Sequence, residues 1–428
     1  MTGTTHPAPE NAAREDLAAA VGPEHLRDAT ERDAVCGVPP RWVAEADGTE
    51  QAAAAVRAAA EHGLTVVPRG AGTKTTWANP PSSADLVLDV SRANAVLEHA
   101  AGDLVVRAQA GTPISEVQRV VRAAGQQLAI DQPLPGATVG GVIATNTSGP
   151  GRHSFGGVRD LLIGITVVRA DGTPTASGGK VVKNVAGYDL GKIYTGSFGT
   201  LGVITEAIFR LHPVAEDHRW LSLTASDTTT AAETVTAIRA SQAMPTAIEL
   251  DRTNPDGPIT VCAQLEGRAS VTETRARELA DRVAQQTGAT AETAATAPDW
   301  WGQHPFDPVR GIGLRLGTAP ARLPALLEGV QRAAEHSGIP LALRGAAGWG
   351  VLHAAAPADT DPAALAELLT ELRSSAEYAV LVCGPPPAHE VADPSAALDR
   401  GALTLMRRVK DQFDPEHRLA PGRFVGGI

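Results

Sequence analysis

Residues 178–205 read GGKVVKNVAGYDLGKIYTGSFGTLGVIT and hold seven glycines, at positions 178, 179, 187, 191, 196, 199 and 202. Such a segment cannot fold as ordinary core, because each glycine forfeits packing and adds backbone entropy to be lost on folding. Glycine is worth that cost where the chain must turn sharply or lie against a ligand. The segment also carries three of the chain's five lysines, Lys180, Lys183 and Lys192, in a protein that otherwise uses arginine. A compact ammonium on a flexible stem suits this place better than a guanidinium fork. By itself the segment reads equally as a long loop between two strands. Two further stretches favour a cofactor cradle.

The first, VVPRGAGTKT at residues 66–75, is a strand opening into Gly70, Ala71, Gly72 and Thr73. Successive backbone N–H groups there can converge on an anion, helped by a hydroxyl. It is neither a P-loop nor a dinucleotide fingerprint, since GxxxxGK[ST] and GxGxxG are both absent. The second, residues 132–165, alternates glycine with Thr138, Thr145, Asn146, Thr147 and Ser148. Small residues let backbone approach a large flat ligand, and the hydroxyls and amides can bond its polar edge. Val139, Val142, Ile143 and Phe155 need burial, which argues against a solvated linker.

At 428 residues the chain is too long for one core and implies two or three domains. No run of 18 apolar residues predicts a transmembrane helix. The N-terminus has no basic region followed by an apolar one, so no secretory signal is expected and the reading is cytoplasmic. A net charge of −11 argues against nucleic acid or anionic membrane as main partners. Cys36, Cys262 and Cys383 are far apart and form no CxxC, which predicts a reducing compartment and no iron–sulfur or zinc site built by this chain alone.

Periodicity predicts a helix from Thr49 as N-cap to His62, ended by Gly63. Strands are expected at 64–68, 86–90, 104–108, 162–169 and 201–211, and a helix from Thr112 to Ala124. After His212-Pro213 the rhythm becomes strand–helix–strand–strand–helix, twice, across residues 219–383. That predicts one antiparallel sheet with helices on one face. Residues 289–303 read as an Ala/Thr-rich link, with Trp300-Trp301 as either a partner surface or a core anchor. A last amphipathic helix is expected at 395–412.

The order PRGAGT, PGATVGGVIATNTSGPGRHSFGGVRD, GTLGVIT resembles the FAD-binding domain of the vanillyl-alcohol oxidase (PCMH-type) superfamily. KVVKNVAGYDLGKIYTGSFGTLGVITEA and the C-terminal QFDPEHRLAPGRF resemble its glycolate oxidase and D-lactate dehydrogenase branch. The resemblance covers roughly residues 40–213 and 400–428. It implies an α+β fold: a leader and helix at 1–39, a two-lobed PCMH-type FAD-binding domain at 40–213, an antiparallel cap with helices on one face at 214–390, and a returning tail at 391–428.

The resemblance implies that Arg69, Gly70, Ala71, Gly72, Thr73 and Lys74 hold the FAD pyrophosphate. It implies that Pro135, Gly136, Thr138, Gly141, Thr145, Asn146, Ser148 and Gly149 line the ribityl and isoalloxazine parts. Gly202, Val203 and Ile204 would offer backbone groups to the flavin. Relatives attach FAD through a first-loop His or a later Cys. Here Lys74 and Thr75 stand in the first loop and no Cys lies between Cys36 and Cys262, so FAD is expected to be non-covalent.

Hydroxy-acid dehydrogenases of this branch carry a GHxGDGNLH-like metal and substrate motif. Its nearest echo is RGAAGWGVLH, residues 344–353, in which Ala346 and Trp349 replace the first His and the Asp. Only His353 remains, as a candidate catalytic or structural residue, and no metal site is expected. The short cap fits the smaller FAD-binding subunit of a glycolate oxidase-type complex. The implied partners are a small 2-hydroxy acid, a second flavoprotein subunit and an iron–sulfur subunit, with any membrane association peripheral, at the inner membrane face, through a partner. An accessory electron-transfer subunit and a stand-alone alcohol oxidase are the alternatives.

Overall fold

The computed structural model describes residues 9–180, 189–392 and 398–428. Lys183 and Gly187, singled out above, lie outside the described residues.

In the first lobe an alanine-rich helix, Thr49–Glu61, packs its buried Ala52, Ala55, Val56 and Ala59 close against two sheets. Its N-cap is Gly48, not Thr49. The Thr49 hydroxyl bonds the Thr205 hydroxyl at 2.9 Å instead, tying the helix to a strand. The helix ends as expected, with Gly63 at φ +65°. One sheet runs in the order Leu26–Asp28, Trp42–Glu45, Leu86–Asp89, Val66–Arg69, its last three strands parallel. The other is antiparallel, in the order Val96–Ala100, Val105–Gln109, Val203–Arg210, Leu162–Val168, Pro174–Gly178.

Residues 132–165 are not all loop. Val139–Thr145 forms a helix whose Thr138 side chain accepts from the Gly141 N–H, and Val139, Val142 and Ile143 are buried. The glycines hid a helix because Gly140 has no room for a side chain: a Cβ there would lie 2.9 Å from the Ala110 Cβ. This is close packing that glycine alone permits.

The second lobe is one eight-stranded sheet, every pairing antiparallel. Its order is Thr290–Ala294, Asp217–Ala225, Ile259–Gly267, Ala247–Arg252, Ala342–Ala346, Val351–Ala356, Ile312–Gly317, Tyr378–Cys383. The edge strand Thr290–Ala294 lies inside the stretch read as a link. Four helices, Thr228–Arg239, Ala269–Thr287, Leu323–Ser337 and Pro362–Ser375, bury their leucines and alanines with Ile248, Leu250, Leu314, Leu316, Leu352 and Ala354 of the sheet. Asp227 and Asp361 cap two of them, accepting from the N–H groups of Thr230 and Ala364. Alternation on the strands then sends Glu249, Arg315, Arg344 and His353 to the opposite, helix-free face.

That face is turned to the first lobe. Trp77 forms an antiparallel bridge with Cys383, and the Ala78 N–H donates to the Val382 carbonyl at 3.0 Å. The final helix begins at Arg400, capped by Asp399, and its Lys410 ties the tail to the first lobe.

Candidate functional site

Two adjoining cavities lie at the seam and share Thr145, Phe198 and Arg423. The smaller, about 100 Å³, is lined by Arg69 to Thr75, Thr138, Gly140, Gly141, Gly199, Gly202 and Ile204. Gly70 lies so near Thr138 that a Cβ would stand 2.3 Å from its Oγ1. The Arg69 guanidinium does not face a ligand: it donates to Asp33 at 2.9 Å and to Asp89 at 2.8 and 2.9 Å. What Arg69 lends the cradle is backbone. Arg423 also lines it but spends its guanidinium on the carbonyls of Thr75, Trp77 and Asn79, whereas Lys74 stands in the loop itself as a cation for an anion. It is buried over the Trp77 ring, and burial lowers its pKa to about 8.

The larger cavity, about 370 Å³, has the glycine loops as floor and the open sheet face as roof. Asn146, Thr147, Ser148, Gly149, Thr195, Gly196 and Phe198 come from the first lobe. Glu249, His304, Arg315 and His353 come from the second. The roof is a cross-strand row in register: Asp251, Arg344, His353, Arg315, Val380. The Arg344 Nε donates to Asp251 at 2.6 Å, which neutralises that end.

Several polar atoms in this wall are buried and without a partner among the described residues: Trp77 Nε1, Arg152 Nε, Thr195 Oγ1, Glu249 Oε1, His304 Nε2 and Arg315 Nε. Buried polar groups are ordinarily paired, so such a concentration marks a place for a polar ligand. Arg152 donates to the Ser148 hydroxyl at 3.1 Å and lies under Trp349; Arg315 lies over Tyr378. No carboxylate is paired with either guanidinium among the described residues. Burial lowers the Arg152 pKa, and the charge of Arg315 lowers it further.

The same burial, with nearby Lys74, Arg315 and Arg344, brings His304 down to about 4. His353 is held well below its ordinary value by burial, His304 and Arg315. Both rings are therefore neutral at neutral pH, packed edge-to-face at 4.6 Å. Glu249 is the reverse case: burial, and then the neighbouring Asp131, raise its pKa well above the usual carboxyl range.

Of the residues named from sequence, Arg69 to Lys74, Thr138, Gly141, Gly202 and Ile204 line the smaller cavity. Asn146, Ser148, Gly149 and His353 line the larger, and Thr145 both. Pro135, Gly136 and Val203 line neither. Pro135 and Gly136 are exposed, and Val203 points into the first core. The Thr145 hydroxyl is taken up by the Gly141 carbonyl at 2.7 Å and by Thr147. Lys180 and Lys192 pair with Glu98 and Asp189 on the surface. Trp300 and Trp301 are half-buried, Trp300 under the Arg344 guanidinium.

Sequence reasoning missed Trp77, Arg152, Glu249, His304 and Arg315. The usable signal was a charge between buried aliphatic neighbours, Glu249 between Ile248 and Leu250 and Arg315 between Leu314 and Leu316. Trp349, standing where the branch motif has an acid, stacks on Arg152 at 5.6 Å. Among the described residues, no group of three or more His, Cys, Asp or Glu is placed to hold a metal ion, and no helix is long and apolar enough to cross a membrane.

The glycine cradle, the buried cation Lys74 and the orphaned polar wall suit a large ligand with an anionic centre and a polar flat end. Comparison with known proteins identifies it. Residues 40–177 match the FAD binding domain, and residues 396–424 match the C-terminal domain of FAD linked oxidases. Glycolate oxidase subunit GlcD of Bacillus subtilis is 36% identical over 190 residues, 44% of this chain and 40% of that protein. Subunit GlcE of Escherichia coli is 35% identical over 150 residues, 35% of this chain and 42% of that one. D-lactate dehydrogenase of Archaeoglobus fulgidus is 33% identical over 184 residues, 42% of this chain and 41% of that protein. The chain thus spans about two fifths of the length of these curated relatives. The fold extends over the whole chain. p-Cresol methylhydroxylase superposes with a TM-score of 0.78 at 15% identity, covering 98% of this chain and 97% of that one. 4-Ethylphenol oxidase from Gulosibacter chungangensis gives 0.75 at 16%, covering 99% and 98%.

Proposed function

We propose that this chain, an FAD-linked oxidoreductase by its matched domains, oxidises a small 2-hydroxy acid in the larger cavity. The observation that carries this reading is the pair Arg152 and Arg315. Both half-buried guanidinia line one cavity, neither is paired with a carboxylate among the described residues, and a carboxylate of the substrate would satisfy both. Charge-assisted, often bidentate bonds of this kind are the strong ones. The hydroxy-acid chemistry named in the relatives GlcD, GlcE and D-lactate dehydrogenase supports the same class.

FAD, held non-covalently, would supply a two-electron acceptor for hydride from the substrate α-carbon. Gly70 to Thr73 and Lys74 would receive its pyrophosphate. Gly141, Gly202 and Ile204, with Thr195 and Phe198, would border the flavin end. The protein's part is then to bind and orient. Arg152 and Arg315 fix the carboxylate, Trp349 and Tyr378 hold the guanidinia in place, and Phe198, Leu381 and Val382 keep water out. Electrons would pass on to an iron–sulfur partner, as in a glycolate oxidase-type complex with a second flavoprotein subunit. The arginine pair favours substrate oxidation in this chain over a purely accessory relay.

The test is an assay with a dye acceptor, comparing glycolate and D-lactate with ethylene glycol and propane-1,2-diol. The acids are expected to win by about 100-fold or more in kcat/KM. Arg315→Met is expected to raise KM for the acids about 10- to 150-fold, the loss of about 1.5–3 kcal/mol for one charged hydrogen bond. Equal activity on acids and diols would refute the proposal.

A further inference from the structure

The reaction proposed above must also dispose of the hydroxyl proton, and three groups in the larger cavity are able to take it: His304, His353 and Glu249. We propose that Glu249 accepts it, an assignment that rests on the 2-hydroxy-acid reading. As the hydroxyl O–H bond breaks, its proton goes to the Glu249 carboxylate. The oxygen keeps the electron pair, which becomes the second carbon–oxygen bond of the 2-oxo acid. The hydrogen and two electrons leaving the α-carbon go to the bound flavin.

Geometry and charge select among the three. Among the described residues, Glu249 is the one carboxyl-bearing residue lining the larger cavity, is 3% exposed, and leaves Oε1 without a partner. His353 lies in register between Arg344 and Arg315. Protonating it would put a third cation in a row of guanidinia, and His304 stands against it with Lys74 nearby. A proton on Glu249 instead removes a negative charge beside a second carboxyl, Asp131. Asp131 is anchored by the Gly151 N–H at 2.8 Å.

The other groups facing Glu249 are few. Cys262 is its cross-strand partner, and its thiol is pushed up to about 12. Arg344, already committed to Asp251, is the cation on its sheet side. Arg152 and Arg315 share its cavity. The raised carboxyl pKa makes Glu249 a stronger base once ionised, so the reaction is expected to accelerate with rising pH. A histidine held below its ordinary value would already be neutral, and active, at neutral pH.

The experiment uses the full FAD-loaded chain, with D-lactate and glycolate mixed anaerobically and flavin bleaching followed from pH 5 to 10. Wild type is expected to speed up with pH on the alkaline side of the ordinary carboxyl range. Glu249→Gln is expected to bleach about 10²- to 10⁴-fold more slowly, the usual contribution of a general base, and to lose that limb. Oxalate, an unreactive dianion, should still perturb the oxidised flavin spectrum with a dissociation constant within about threefold of wild type if the carboxylate subsite is untouched.

A second readout is independent of turnover. A carboxyl whose folded pKa is raised stabilises the fold below its unfolded value and loses that stability as pH rises through the folded one. The wild-type melting temperature should therefore fall on the alkaline side more than that of Glu249→Gln. A wild-type pH profile retained in Glu249→Gln, or one abolished by His353→Gln instead, overturns the assignment while leaving the proposed function intact. Wild-type flavin that no 2-hydroxy acid bleaches overturns both.

Discussion

Lys410 and Asp414 form a fully buried ion pair, 2.6 Å apart, that staples the tail to the loop at Thr200. The ammonium also donates to the carbonyls of Thr200 and Leu419, each at 2.8 Å. Asp414 in turn accepts from the N–H groups of Leu419 at 2.7 Å and Arg418 at 3.1 Å. Lys410→Met strands two buried carbonyls and leaves a carboxylate without a counter-charge. Asp414→Asn leaves a buried ammonium with carbonyls alone. Removing one partner of such a pair costs about 3–5 kcal/mol, a large part of a typical total of about 5–15. The double variant holds no buried charge and should cost clearly less than the two singles together, a coupling of about 2–3 kcal/mol. Urea unfolding of the FAD-free proteins, followed by far-ultraviolet circular dichroism, measures all four corners of the cycle. Added salt should leave the coupling unchanged, because a buried pair is little screened. Thr200 adjoins Phe198 and Gly199 on the cavity walls, so both singles should also weaken FAD binding. Single variants that lose less than about 1 kcal/mol, or strictly additive losses, would refute the reasoning.

Two further perturbations address the cradle. Gly70→Ala would drive a methyl into the Thr138 hydroxyl, 2.3 Å from its Cβ position, and displace the group that caps the Val139–Thr145 helix. FAD affinity, titrated by flavin fluorescence, should fall about tenfold or more, consistent with about 1 kcal/mol of lost cap plus the displaced loop; unchanged affinity would sink the assignment. Lys74 titrates near 8 in the free protein because it is buried, and a bound diphosphate would raise that value. FAD binding should then take up a proton and weaken by up to about tenfold per pH unit as pH climbs above about 8. Lys74→Met should bind more weakly at pH 7 and show a flat profile there; parallel profiles for the two proteins would contradict the role.

Much of the smaller cavity was legible because its chemistry is local. RGAGT, Thr138 and GTLG lie in short runs, and each run lines a cavity. The helix end marked by Gly63 was equally plain, since that position needs a positive φ. The helix Val139–Thr145 was hidden because its glycines serve close packing instead of turning. The larger cavity was hidden for a different reason. Arg152 comes from one lobe and Arg315 from the other, and only the fold brings them to one cavity. Likewise the row from Asp251 through Arg344 and His353 to Arg315 exists in strand register alone. RGAAGWGVLH drew notice for the residues it lacks, whereas its Trp349 matters for the guanidinium it covers.

The most direct measurement is the visible spectrum of the purified, FAD-loaded chain mixed without oxygen with glycolate or D-lactate. The account expects the flavin absorbance to bleach in the chain alone, with that bleaching strongly reduced in Arg315→Met. A flavin that stays oxidised alone, and is reduced only when partner subunits are added, would contradict the claim that this cavity is where the acid is oxidised.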